Sequence, residues 1–272
     1  MRWLLCVAAI LVLAAGFQLF VFAGRTATHF AWTIHNPLAA AFLGASYWAS
    51  VSIEALAARQ RVWANARIAV PAVLAFTVLT LVATLAHLDL FHLGGQFATG
   101  TRIVTWAWIA VYAVVPLLML IVLAVQLRAP GADPPRSAPL PGWIRAMLAV
   151  HAVVLVSLGV ALFAAPAQFA VGGRAASWWP WTLTPLLAQA TGAWLVSLGI
   201  AAAHATLERD ARRLRPAAAG YVLLGVLQFI VLARYPSLFR WSSVAGVLYL
   251  VFLVTTLVTG AAGLAKGRPR TR

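Results

Sequence analysis

Acidic side chains are almost missing from this chain: Glu54, Asp89, Asp133, Glu208 and Asp210 are the only five in 272 residues. Asp89 is the single acid outside the apolar and arginine-rich segments, so paired carboxylates for general acid and base work have no home on its face. Cysteine is scarcer still. Cys6 stands alone, which excludes an intramolecular disulfide and a cysteine-ligated metal cluster, and a small apolar filler is its expected role. The sequence holds no Gly-x-Ser-x-Gly elbow, no His-Glu-x-x-His and no glycine loop followed by Lys-Ser or Lys-Thr. Nucleophilic, zinc-protease and nucleotide chemistry therefore lack their usual signatures, and the chain reads as a non-enzyme with no resident cofactor. Lysine is also nearly absent, Lys266 being the only one among 20 basic residues. That skew, with abundant Ala, Gly, Pro and Val, resembles the product of a high-GC bacterial genome.

What is present is hydrocarbon. Hydrophobic residues make up 63% of the chain and charged residues 9%, against about half and a quarter in soluble domains. The apolar stretches come in pieces of about 20 residues, enough to cross roughly 30 Å of hydrocarbon. Eight are expected: 3–23, 37–57, 68–88, 103–127, 143–165, 185–206, 217–233 and 241–265. The first exceeds the apolar core of a secretory signal and reads as a retained helix. The expected fold is an all-α polytopic membrane protein.

The formal net charge of +15 suggests nucleic acid until the charges are placed. With the amino terminus in the cytoplasm, the outer connections receive only Arg25, Arg102, Arg174, Arg234 and Arg240. The inner side receives all the others, among them Arg2, Arg59, Arg61, Arg67, Arg128, Arg136, Arg145, Arg209, Arg212, Arg213, Arg215, Arg268, Arg270 and Arg272. This is the positive-inside pattern of an inner-membrane protein with both termini cytoplasmic. Anionic lipid headgroups are the expected partners of the basic face, by about 1 kcal/mol per well-placed residue, and nucleic acid is not.

The chain is also written twice. Trp32-Thr33-Ile34-His35-Asn36-Pro37, with Gly44-Ala45 seven residues on, returns as Trp181-Thr182-Leu183-Thr184-Pro185 with Gly192-Ala193 at the same distance. Arg2, Gly16 and Phe20 fall on Arg145, Gly159 and Phe163 at an offset of 143, and Arg61, Arg67 and His87 fall on Arg209, Arg215 and Tyr235 at 148. The expected organisation is a four-helix repeat over 1–127, a linker over 128–142 held extended by five prolines, a second repeat over 143–265, and a basic tail over 266–272. Four crossings per half make the repeats parallel, as two small bundles packed face to face.

The segment Trp179-Pro180-Trp181-Thr182-Leu183-Thr184-Pro185-Leu186, leading to Gly192-Ala193-Trp194, resembles a group of uncharacterised bacterial multi-pass membrane proteins with a Trp-Pro-x-x-Leu-Thr-Pro-Leu entry. The resemblance implies a shared fold and carries no activity.

Ser46, Ser50 and Glu54 stand at four-residue steps, and Thr77, Thr80, Thr84 and His87 at steps of three, four and three, so each set shares a helix face. Two polar stripes on neighbouring helices are suited to line a cavity. An ionisable group within a membrane is costly unless paired or hydrated, which singles out Glu54; pairing with Arg59 or Arg61 is the plain structural account of it. Back-bonding to helix carbonyls accounts equally for the threonines. At the aligned positions the second half has Trp194, Leu198 and Ala202, and only Gln228, matching Thr80, stays polar. A site is thus expected to be asymmetric and in the first half.

Trp32, Pro37, Trp181 and Pro185 would shape the outer mouth, with interfacial anchoring as the simpler role of the tryptophans. Asp133, Glu208 and Asp210 read as solvated ion pairs among arginines. The expected function is to bind or move a small apolar or lipid-like molecule between the repeats. The alternatives are a structural or assembly subunit, and a haem- or quinone-linked redox protein using His29, His35, His87 or His92. A homo-oligomer is compatible with all three.

Overall fold

The computed structural model describes residues 2–60, 62–128 and 131–267. Arg61, Arg268, Arg270, Arg272 and linker positions 129–130 lie outside the described residues. Eight long helices carry the fold: α1 (Arg2–Val21), α2 (Pro37–Ala58), α3 (Ala69–Ala86), α4 (Thr99–Arg128), α5 (Gly142–Ala164), α6 (Pro185–Glu208), α7 (Arg215–Arg234) and α8 (Val244–Lys266). Among the described residues there is no β-strand, only two isolated bridges.

The helix starts follow local chemistry. Asn36 caps α2 by accepting from the N–H groups of Leu38 and Ala39, and Pro37 takes the first helical position, where no N–H is needed. Thr184 and Pro185 do the same for α6. Ser243 caps α8, which therefore begins three residues after the expected Trp241.

Six helices, α3 to α8, are long and apolar enough to cross a membrane. A seventh span would join α1 to the short turns after it, bent by 84°. The expected second span, α2, has the length but is diluted by Ser46, Tyr47, Trp48, Ser50, Ser52 and Glu54. Its burial explains the dilution, since 15 of its 22 residues face protein and need not match lipid. The exterior has the opposite character: Ile103, Trp106, Leu117, Ile121, Val125, Val153, Val251 and Val254 are exposed. Polar groups inside and large aliphatics outside suit lipid as the surrounding solvent and would aggregate in water.

Packing crosses the midpoint of the chain. One row runs α1, α2, α7, α8 and the other α5, α6, α3, α4, while α2 and α3, neighbours in sequence, barely touch. The two separate bundles expected from the sequence are therefore replaced by interleaved halves. Matching contacts recur in both: a Cβ on Gly44 would meet the backbone of Phe20, and one on Gly192 the backbone of Phe163. Gly220 lies against the Ala49 carbonyl, and Ser197 donates to the Ala72 carbonyl at 2.9 Å.

At the arginine-rich end the linker is docked. Its 131–141 stretch is extended, as five prolines predict, but it pairs with the segment after α6: Leu140 N–H donates to Arg209 C=O and Ala211 N–H to Ala138 C=O. Arg136 Nε donates to the Glu208 carbonyl at 2.6 Å. Of the solvated ion pairs expected here, Asp133 stays exposed while Glu208 and Asp210 are buried, Glu208 against Arg213. Glu208 is 3% exposed and meets Arg67 at 2.6 Å and Arg213 at 2.5 Å, while Asp133 meets Arg67 at 2.5 Å. Sequence shows the charges but not that α6 ends between Arg67 and the linker. For Arg67, burial acts to lower its pKa, but Glu208 and Asp133 outweigh it and the guanidinium is held above its ordinary value.

Asp210 pins the linker. Burial alone would raise its carboxyl, but the N–H groups of Ala138, Ser137, Arg213 and Arg212 hold it below the ordinary value. A depressed folded-state value means this stabilisation is full above the ordinary carboxyl value of 3.8 and is lost as pH falls through the folded-state value. Hydrogen exchange at Ser137 and Ala138, corrected for intrinsic rate, is expected to accelerate only below that range. Asp210→Asn is expected to show fast exchange at neutral pH; slow exchange in the variant would remove Asp210 as the clasp.

Candidate functional site

Two cavities and one cleft take up some of the residues singled out by sequence. The first is central. Ser46, Ser50, Glu54 and Thr77 all line a cavity of about 90 Å³ at the crossing of the two rows, with walls from α1, α2, α3, α4, α6 and α7. The apolar counterparts Trp194 and Leu198 line the same cavity from the other side. The asymmetry read from the sequence is thus across one shared cavity and not between two separate halves, because the rows interleave. Ala202 lies elsewhere, against α5 and α7.

Glu54 is 2% exposed. The expected pairing with Arg59 is absent: Arg59 is exposed, and Glu54 Oε2 has no hydrogen-bond partner. Helix direction explains this, for Glu54 turns toward the bundle axis while Arg59 leaves the helix end. Ser46, Ser50 and Thr77 donate to the carbonyls of Phe42, Tyr47 and Leu74 at 2.9, 2.8 and 3.0 Å. Ser197, invisible in the sequence because it aligns with Ala49, joins them in the lining.

The rest of the threonine stripe does not reach this cavity. Thr84 donates to the Thr80 carbonyl and accepts from Trp108 Nε1 at 3.0 Å, so it serves packing between α3 and α4. Thr80 is buried with its hydroxyl unpartnered. His87 donates from Nε2 to Gln189 Oε1 at 3.0 Å, at the far end of α3. Next to the cavity, Tyr47 and Tyr112 hydroxyls meet at 2.6 Å.

The second cavity is larger and was missed. A groove of about 610 Å³ runs between α5, α6, α7 and α8, with Phe42 and Ser46 of α2 as its floor and Trp178, Trp179 and Pro180 at its Trp-Thr end. Its walls are mainly Leu155, Leu158, Ala161, Leu195, Leu248 and Phe252. One polar chain crosses it: Tyr249 OH donates to Gln228 Oε1, and Gln228 Nε2 donates to the Phe42 carbonyl at 3.1 Å and Ser46 Oγ at 3.3 Å. Gln228 had been legible as the one polar survivor of the second half. The groove was not, since aliphatic residues at helical spacing read as core whether or not the opposite helix closes on them.

The two Trp-Thr entries meet. Asn36 Nδ2 donates to the Thr182 carbonyl at 3.2 Å and its hydroxyl at 3.0 Å, beside a cleft of about 290 Å³ lined by Trp32, Pro37, Thr184 and Leu238. Trp32 and Pro37 thus border an opening. Trp181 and Pro185 do not. Trp181 is 1% exposed and packs on Phe42, Trp179 and Tyr249, while Pro185 is exposed and only starts its helix. Trp178, by contrast, is 72% exposed.

Among the described residues, no three of His, Cys, Asp and Glu gather as metal ligands. His92 has both nitrogens engaged, Nδ1 donating to the Phe30 carbonyl and Nε2 accepting from Thr33, each at 2.9 Å. No family model matches the chain, and neither a curated protein nor a solved structure matches it at a significant level.

Proposed function

We propose that this chain is an inner-membrane protein of eight spans, built from two parallel repeats, that binds a lipid acyl chain or similar apolar molecule in the groove between α5 and α8. The observation that carries it is the unfilled volume. A cavity of about 610 Å³ falls within the range of ligand sites and far above the voids left by ordinary packing. Its rim residues Val154 and Leu248 are exposed aliphatics on the bundle exterior, so a hydrocarbon chain entering from the bilayer meets apolar surface throughout. The Gln228, Tyr249 and Ser46 chain offers a polar contact at its floor. A scaffold subunit would gain from closing such a groove.

The matched contacts of Gly44 with Phe20 and of Gly192 with Phe163 support the repeat. Arg59, Arg67, Arg136, Arg212 and Arg213 gather at the end opposite the Trp-Thr motifs, which supports cytoplasmic placement of that end and attraction to anionic headgroups.

Ala161→Trp is expected to fill the groove, whereas Val153→Trp, on the exposed side of the same helix, is not. Native mass spectrometry of protein released from lipid nanodiscs is the measurement. Wild type and Val153→Trp should carry a retained lipid, and Ala161→Trp should retain about tenfold less. Equal retention in all three would remove the groove as the binding site.

A further inference from the structure

We propose that the central cavity is a second binding site, for a protonated amine, with Glu54 as its counter-ion. It borders the acyl-chain groove, with Ser46, Leu198 and Leu224 lining both, but does not rest on that reading. The lining is short of donors. Ser50, Thr77 and Ser197 each spend their hydroxyl proton on a helix carbonyl, at 2.8, 3.0 and 2.9 Å, so the lone pairs are what they have left to offer. Ser46 spends its proton likewise and accepts from Gln228. Glu54 adds a carboxyl whose Oε2 is buried without a partner. Among the described lining residues there is no arginine, lysine or histidine.

Such a cavity leaves a carboxyl and several oxygen acceptors facing a space poor in donors, among them the unpartnered Tyr221 hydroxyl and the one proton that the Tyr47–Tyr112 pair does not use between its own oxygens. A buried unpaired acid costs several kcal/mol, and an unsatisfied acceptor adds to it. A cation that donates hydrogen bonds answers both. An ammonium group presents three donors and one positive charge. Phe76, Tyr112 and Trp194 give aromatic surface in the same wall, which suits a positive charge on a short carbon chain better than a hydrated metal ion. At about 90 Å³ the cavity has room for more than one water-sized group and admits a small alkylamine, not a lipid.

The test uses the full chain in nanodiscs of neutral phospholipid, titrated with propylammonium chloride and followed by thermal unfolding. Wild type is expected to show a saturable rise in unfolding temperature that sodium chloride at equal concentration does not reproduce. Glu54→Gln is expected to lose the rise. Ser50→Ala combined with Thr77→Val keeps the carboxyl and is expected to bind about tenfold more weakly, as removal of hydrogen bonds to a charged group predicts, and it carries the test if Glu54→Gln does not fold. An equal rise in Glu54→Gln, an unweakened response in the double variant, or an equal effect of sodium would each overturn the assignment.

Discussion

Glu208→Gln is expected to lower the stability of this protein by about 3 kcal/mol, or roughly 10 °C in unfolding temperature for a chain of this size. The carboxylate is nearly inaccessible and is shared by Arg213 at 2.5 Å and Arg67 at 2.6 Å, with Arg136 at 3.6 Å. Amide replacement keeps the shape and removes the charge. Arg67 is partly exposed and regains water, so its share of the loss is small. Arg213 is only 6% exposed at the side chain and keeps, besides at most a neutral amide oxygen, Asp133 at 3.6 Å and the Pro134 carbonyl as partners. An unpaired buried charge is the expensive product.

The same reasoning predicts that Arg213→Met alone is harmful, while Glu208→Gln with Arg213→Met recovers much of the loss, since neither then strands the other. Thermal unfolding of the four proteins closes the cycle. A Glu208→Gln protein within 0.5 kcal/mol of wild type would show that the cluster is screened and adds little.

Gly192→Val is expected to disrupt folding more strongly, because the obstacle is backbone. A Cβ on Gly192 would lie 2.6 Å from the Gly159 carbonyl oxygen and 3.0 Å from the Phe163 nitrogen, and a Cβ on Gly159 would lie 2.8 Å from the Gly192 carbonyl oxygen. Neither helix has a side chain to swing away, so α5 and α6 must separate along their most extensive contact. In lipid, helix association relies on this close approach in place of a hydrophobic drive. Even Gly192→Ala should cost about 1–3 kcal/mol, and valine more.

Gly44→Ala should behave alike, since the backbone of Leu19 and Phe20 stands at its Cβ position. Gly16→Ala should be milder, because only the Trp48 ring opposes it. Gly100→Ala, with open space around it, should be neutral or slightly stabilising. Yield of folded monomer from membranes and unfolding temperature rank the series. Equal tolerance at Gly192 and Gly100 would mean that α5 and α6 are not packed on their glycines.

Helix content and the principal helix starts were legible because they depend on local chemistry. Runs of about 20 apolar residues, Asn36-Pro37 and Thr184-Pro185 each carry their meaning within one turn of chain. The polar face of Ser46, Ser50 and Glu54 was equally legible, as helical spacing alone places these residues together. Other features depended on contacts between segments far apart in sequence. Thr80 and Thr84 have the same spacing as Thr77, yet Trp108 of α4 takes up Thr84. Trp181 sits in an interfacial motif, yet Phe42 and Tyr249 close over it. Arg59 lies one turn from Glu54 and still points away.

By itself, then, the sequence determined an all-helical chain with an apolar exterior, the proline-led starts of two helices, the doubling of Trp-Thr before Pro, and one acid inside an apolar helix. Each of these follows from periodicity, length or local hydrogen bonding. Only the tertiary structure decided that the halves interleave, that Glu54 faces a cavity shared by six helices, that the proline linker is clasped by Asp210, and that an apolar groove stays open between α5 and α8. These depend on which helix faces which, and an apolar surface in lipid specifies its partner through shape, with glycine against backbone, far more than through composition.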